Sequence, residues 1–260
     1  MEWREQNGLR WLEAEMRGAT AAFTTRPGGA SGPPFEALNL GAFTDDGREA
    51  VAENRRRLAS ALGFPPDRIA IAHQVHGAEL IVHTESTSPR GSFASCQGGH
   101  GDSASRDAAL ADADGHVVTV EATAALVFVA DCVPVALSGP GGVAMLHCGW
   151  RGLAAGIVAK GAAAIGATDA VVGPSIGPCC YEVGGEVLSA FGELGDGIAL
   201  DRMLDLPEVA RRLLVEVGVE RVETSGLCTS CEPDLFFSHR RDRGRTGRQA
   251  GLVWRSAGEG

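Results

Sequence analysis

Apolar and polar positions along the chain fall into two periods. Short apolar runs rich in β-branched residues recur at 69–72 (IAIA), 80–83 (LIVH), 125–130 (ALVFVA), 133–137 (VPVAL), 142–146 (GVAML) and 170–173 (AVVG). Runs of that length and composition read as strands of a well-buried sheet. Between the first of them and the N-terminal part, DDGREAVAENRRRLASALG carries aspartates at its start, Val51, Leu58 and Leu62 on roughly one face, and Gly63 as a stop, the signature of a helix. A second helix is predicted from Gly152 to about Ile165. A third runs from Pro207 to Val217, with proline suited to the first helical position and Gly218 at the exit. Strands interleaved with helices give an α/β fold, expected to be a single-domain mixed sheet with flanking helices over residues 1–260.

One stretch breaks this pattern. Residues 86–112, STSPRGSFASCQGGHGDSASRDAALAD, are poor in large apolar side chains and heavy in Ser, Gly and Asp. Little burial is available there to offset ordering entropy, so the segment reads as a mobile surface insertion. That demotes Cys96 and His100 as site candidates.

Composition narrows the class. An apolar share of 44% places the chain among ordinary globular proteins. No run of about eighteen apolar residues spans a bilayer. The start MEWREQNGLRWLEAEM mixes acids and bases and lacks the form of a secretory signal, so a cytoplasmic address is expected. A net charge of -10 argues against general nucleic-acid binding, although the segment SHRRDRGRTGR near the C-terminus concentrates arginine. A monomer or weak homo-oligomer acting on a small molecule is expected. The seven cysteines are an odd number, and in a reducing compartment they stay thiols, so each raises the question of metal binding or catalysis.

Three edges of apolar runs carry the chemistry: HQVHG with His73 and His76, ADCVP with Asp131 and Cys132, and LHCGWRG with His147, Cys148 and Arg151. Strand ends fix a position while the following loop frees the side chain to face a cleft. Two imidazoles and one thiolate, His76, His147 and Cys132, form a three-donor zinc site that leaves the fourth tetrahedral position open, and metal bound so activates water. The same residues without metal form a nucleophile and base, Cys132 and His147, with Asp131 or a backbone carbonyl as orienter. A blander reading has the histidines capping strands and Cys132 as a small buried hydrophobe.

GPCCYE (177–182) and CTSC (228–231) together hold four sulfurs, Cys179, Cys180, Cys228 and Cys231. Adjacent cysteines chelate one tetrahedral ion poorly and a lone C-x-x-C is weak, so they read as loop thiols near a site. The glycine-rich stretches at 25–34 and 172–180 match no P-loop or dinucleotide fingerprint and read as turns, whose free amides also suit anions. Arg26, Arg151, Arg240 and Arg241 lie beside glycine-rich or aromatic loop residues, where guanidinium forks suit phosphate or carboxylate.

Seven motifs occur in one order: TTRPGGASGPPFEALNLG, AVAENRRRLASALG, QVHG, ADCVPVAL, LHCGWRGLAAGIV, GPSIGPCCYEVG and CTSCEPDLFFSHRRDRGRTGRQAGLVW. In these the chain resembles, over nearly its whole length, the laccase-domain or multicopper polyphenol oxidase family, also described as purine nucleoside phosphorylases and peptidoglycan editing factor. The resemblance implies a fold similar to a toxin deamidase that works through Cys and His. It implies a catalytic zinc on His76, Cys132 and His147, with His73 outside the ligand set. It also implies phosphorolysis of adenosine, guanosine, inosine or methylthioadenosine, and deamination of adenosine. Arg26, Asn39, Arg151, Arg240 and Arg241 are then candidates for holding phosphate or substrate. The alternatives are a metal-free Cys132/His147 hydrolase or cell-wall precursor editing enzyme, a polyphenol oxidase, and a non-catalytic protein stabilised by zinc. Copper is less expected than zinc, because the repeated His-x-His of multicopper sites is absent among seven histidines. The chain departs from the family in Cys148, where alanine is usual, and in the long 86–112 insertion.

Overall fold

The computed structural model describes residues 1–84, 89, 91–96 and 110–256. In chain order the strands are β1 (Glu2–Gln6), β2 (Leu9–Met16), β3 (Ala19–Thr24), β4 (Ile69–Ala70), β5 (Leu80–His83), β6 (Gly115–Val118), β7 (Ala124–Val129), β8 (Val133–Gly139), β9 (Gly142–Cys148), β10 (Asp169–Val172), β11 (Ala199–Leu200), β12 (Met203–Leu204), β13 (Arg221–Thr224) and β14 (Gln249–Arg255). The α-helices are α1 (Arg48–Leu62), α2 (Trp150–Ala154), α3 (Ile157–Ile165), α4 (Gly185–Ser189) and α5 (Leu206–Glu216).

The single sheet expected from the apolar runs is in fact two six-stranded sheets, with strand orders β1-β2-β3-β14-β7-β4 and β13-β10-β8-β9-β6-β5. Both are mixed: β4 with β7, β5 with β6 and β10 with β13 run parallel, and the remaining pairs are antiparallel. The period-2 alternation of a strand explains the layering. On β7, Ala124 and Leu126 face α1 together with Leu9, Trp11, Leu58 and Leu252, whereas Ala125, Val127 and Val129 turn to the other sheet. On β9, Val143 and Met145 meet them there, while Ala144, Leu146 and Cys148 face α3 and α5. Four layers result, helix, sheet, sheet and helices, in one mixed α/β domain with three apolar seams.

Several elements differ from expectation for local reasons. β1–β3 and β14 were not in the predicted set, since β1 and β2 mix charge with apolar residues and β3 is mostly alanine and threonine, yet β3 and β14 are central to the first sheet. The predicted 152–165 helix is two helices, because Gly156 adopts φ +80°, a left-handed conformation that ends one and starts the other. α1 stops at Gly63, also left-handed (φ +75°), as predicted. α5 starts one residue early, its N-terminus capped by Asp205 Oδ1 accepting from the Glu208 amide at 3.0 Å.

Within the 86–112 stretch, Phe93 is fully buried, and the Ile71 amide donates to Gly91 O at 3.0 Å. His73 exchanges backbone bonds with Ala111 and Ala113. Residues 85–88, 90 and 97–109, with His100 and the side chain of Cys96, lie outside the described residues.

Candidate metal centre

The register of β8 and β9 builds the centre. Val133 pairs with Cys148 and Pro134 with His147, so the residue before β8, Cys132, lies beside the end of β9. Val133 and Cys148 face the α3/α5 seam; by alternation Cys132 and His147 both turn to the space between the sheets. The same alternation settles Cys148, which is buried among Val133, Leu146 and Leu153 on the opposite face. Burial raises the Cys148 thiol well above its usual pKa.

His76 arrives from the loop between β4 and β5 with φ +60°, a conformation rare for a residue with a side chain. It is held there by Asp114, which lies fully buried just before β6. The carboxylate accepts the amides of Val75 (3.2 Å), His76 (2.9 Å) and Gly77 (2.6 Å), and Oδ1 also accepts His147 Nδ1–H at 2.7 Å. His147 is thereby fixed with Nε2 aimed away from Asp114, as metal-ligating imidazoles are when a carboxylate holds the other nitrogen. One donor atom from each of His76, Cys132 and His147 lies within 4.8 Å of the other two, and the imidazole rings meet edge to face at 4.8 Å between centroids. A two-imidazole, one-thiolate set at this spacing fits a single tetrahedral ion with one position open. Gly149 passes so close that a Cβ there would stand 3.1 Å from His76 Cδ2 and 3.3 Å from Cys132 Sγ, which accounts for glycine after the strand.

Electrostatics favour the ionised thiol. Burial alone pushes the Cys132 pKa up, but His147 and His76 overcome it and bring it down to about 6. Burial likewise opposes charge on His147, and the Cys132 thiolate with Asp114 raises its pKa to about 9. Asp131 does not orient His147. It has φ +91°, and its carboxylate accepts Thr229 Oγ1–H and the Arg240 amide, both at 2.7 Å, so it braces the turn that delivers Cys132.

The three donors stand at the wall of a cavity of about 410 Å³. Phe43, Phe128, Trp150 and Tyr181 give it aromatic surfaces, and Arg151, Arg240 and Arg248 line it. Arg151 lies over the Trp150 ring at 4.5 Å and Arg240 over Tyr181 at 5.1 Å. His73 is at the same cavity, paired through Nδ1 with Asp112 at 2.8 Å and edge-on to Phe43, outside the donor set.

The remaining predicted residues are not brought to this wall. Arg26 donates to Glu36 O and Pro233 O and packs over Phe237. Arg241 donates to Thr229 O, Phe236 O and Asp242. Asn39, fully buried, ties Thr44, Asp46, Gly41 and Arg248 together, a loop anchor behind the cavity. Sequence reasoning missed Asp114, Tyr181, His239 and Arg248. Asp114 sits at a strand edge like the three donors, in ADADGHVV, and that position was its only signal.

Residues 20–256 match the family model described as "Multi-copper polyphenol oxidoreductase laccase". Among named proteins, the chain is 38% identical over 280 aligned residues to purine nucleoside phosphorylase YlmD from Geobacillus stearothermophilus, covering 96% of each chain. It is 36% identical to purine nucleoside phosphorylase YfiH from Escherichia coli, covering 92% of this chain and 95% of that one. A crystal structure of YlmD from Geobacillus stearothermophilus superposes with a TM-score of 0.85 at 34% identity, covering 98% of both chains. One of a Bacillus licheniformis hypothetical protein YfiH superposes with a TM-score of 0.83 at 33% identity, covering 98% of this chain and 99% of that one. With the family model spanning nearly the whole chain and relatives this similar along their full length, the protein belongs to the multi-copper polyphenol oxidoreductase laccase family.

Proposed function

We propose that the protein is a zinc-dependent purine nucleoside phosphorylase that also deaminates adenosine. The observation that carries this reading is the open three-donor set of His76, Cys132 and His147 on the wall of an aromatic and arginine-lined cavity. The names of the relatives supply the substrate class, nucleoside and phosphate.

Zn2+ held by the three donors supplies a Lewis acid that lowers the pKa of water and polarises a bound base. The chain's own residues do the rest. Asp114 keeps His147 in one tautomer with Nε2 presented, and holds the backbone that carries His76. Phe43, Phe128, Trp150 and Tyr181 offer apolar faces for a planar purine. In phosphorolysis the ribose C–N bond breaks with oxocarbenium character while phosphate approaches C1′, so an anion must be held against a cationic centre. Arg151 and Arg240, stacked on aromatic rings and hence restricted in direction, suit that task.

Purified protein incubated with adenosine is the test. Adenine with ribose 1-phosphate in the presence of phosphate, and inosine with or without it, are expected. The absence of all three products from zinc-loaded protein refutes the reading.

A second reading has one specific observation in its favour. Cys132, His147 and Asp114 also stand as nucleophile, base and orienter, with the thiol pKa down at about 6. As a metal-free hydrolase the protein is alkylated at Cys132 with no effect of chelator, whereas protection of that thiol by stoichiometric zinc eliminates this reading. The family description names copper, which a His2Cys set also accepts; metal analysis of the isolated protein is expected to find zinc.

A further inference from the structure

Two loops on the far side of Tyr181 bring four cysteines together. The first is the turn Gly177–Cys180, closed by the Cys180 amide donating to Gly177 O at 3.0 Å. The second is the C-x-x-C turn of residues 228–231, closed by the Cys231 amide donating to Cys228 O at 3.2 Å. A parallel bridge between Ser175 and Cys228, with the Thr229 amide on Ser175 O at 3.0 Å, fixes the loops to one another.

The sulfurs converge. Cys231 Sγ lies 3.4 Å from Cys179 Sγ and 3.5 Å from Cys180 Sγ, and all four sulfurs lie within 4.8 Å of one another. The objection that adjacent cysteines chelate poorly falls away here, because the 177–180 turn faces both sulfurs toward Cys231. A tetrahedral ion with metal–sulfur bonds of about 2.3 Å sets its sulfurs about 3.8 Å apart, the scale of this cluster. An iron–sulfur cluster spreads its thiolates over several irons and needs a wider opening. The Gly177 amide donates to Cys228 Sγ at 3.2 Å, a bond that favours the thiolate. Four thiols this close repel as anions, and a divalent cation among them removes that repulsion.

We propose that Cys179, Cys180, Cys228 and Cys231 form a second, closed metal site that takes one thiophilic tetrahedral divalent cation, Zn2+ foremost. With all four positions filled by protein, the site is structural, without room for water or substrate. Its place in the fold gives it a task. Ile176 and Tyr181, on either side of the first turn, line the cavity, and Thr229, inside the second, donates to Asp131 beside Cys132. The ion clamps the two loops that shape one wall of the first site.

The test uses the full chain, reduced, loaded with Zn2+ and freed of excess by gel filtration. About two zinc per chain are expected in the wild type, and about one in each of His76→Ala/Cys132→Ala and Cys228→Ser/Cys231→Ser. X-ray absorption on the zinc-loaded His76→Ala/Cys132→Ala protein is expected to show four sulfurs at about 2.3 Å. Zinc missing from that folded variant, or a second equivalent retained by Cys228→Ser/Cys231→Ser, overturns the proposal, as does a Cys179–Cys231 disulfide persisting in the reduced protein. Should either variant fail to fold, the wild type still decides: the exposed Cys179 and Cys231 resist a thiol reagent when zinc-loaded and react after chelation. Ready reaction of both in the zinc-loaded protein refutes the site. Failure of the first site shows separately, as zinc absent from Cys228→Ser/Cys231→Ser alone.

Discussion

The Asp114 carboxylate accepts four hydrogen bonds, and each bears on where a donor atom points: three come from the backbone that carries His76, the fourth from the ring of His147. Asp114→Asn keeps the shape but replaces one acceptor oxygen with a donor, which faces amides that also donate. Loss of zinc affinity by roughly 10–100-fold is expected, read by competition with a chromophoric chelator, with His76, Cys132 and His147 still in place. Cys148 provides the contrast. It neighbours His147 in sequence but faces the α3/α5 seam, so Cys148→Ala is expected to leave zinc content unchanged and to cost about 1 kcal/mol of stability in a urea titration. That residue shows why the sequence alone left it open: parity along a strand assigns a face only once the strand's register and the neighbouring sheet are known.

At the scale of elements, β5 and β6 hold a histidine pair, half-buried His83 Nε2 and buried His116 Nδ1 at 3.1 Å, their rings stacked. Burial, reinforced by His83, pushes the pKa of fully buried His116 down to about 3. The unfolded chain binds a proton at this residue below its ordinary pKa of about 6.5 and the folded chain does not, so stability present above that pH is lost as pH falls toward 3. The slope from His116 alone is about 1.4 kcal/mol per pH unit in the middle of that window. His116→Gln keeps a hydrogen-bonding group beside His83 without titrating there, and is expected to flatten the acid limb of a stability–pH curve measured by denaturant unfolding. The elements themselves were legible where local signals were strong. α1 ends at a left-handed glycine, α5 carries a capping aspartate, and β7–β10 are apolar runs bounded by turn residues. β14 was not, because its pairing with β3 joins the two ends of the chain, a contact that no local window contains; β1–β3 had only the short turns Asn7-Gly8 and Arg17-Gly18 to mark them as hairpins.

For the whole molecule, the three donors were readable because each sits at the end of an apolar run, while their convergence depends on a two-sheet layering that one-dimensional periodicity does not encode. Arginine is where the sequence was least informative: Arg26, Arg151, Arg240 and Arg241 look alike beside their loops, yet only Arg151 and Arg240 line the cavity. The difference gives a test that separates the two proposed reactions. Phosphorolysis needs an anion held against the ribose and deamination does not, and a guanidinium contributes to the first through charge-assisted, paired hydrogen bonds. Arg240→Ala removes the side chain over Tyr181 but keeps the backbone amide that braces Asp131, so the Cys132 turn and the metal remain. Arg151→Ala likewise lies outside the donor set. In both variants the KM for phosphate is expected to rise by roughly 10–100-fold, while adenosine deamination stays within about threefold of the wild type and zinc content is unchanged. Equal loss of both activities places the arginines on the nucleoside instead of the phosphate. No loss of either moves the anion site elsewhere, with Arg248, the third guanidinium on the wall, as the next to substitute.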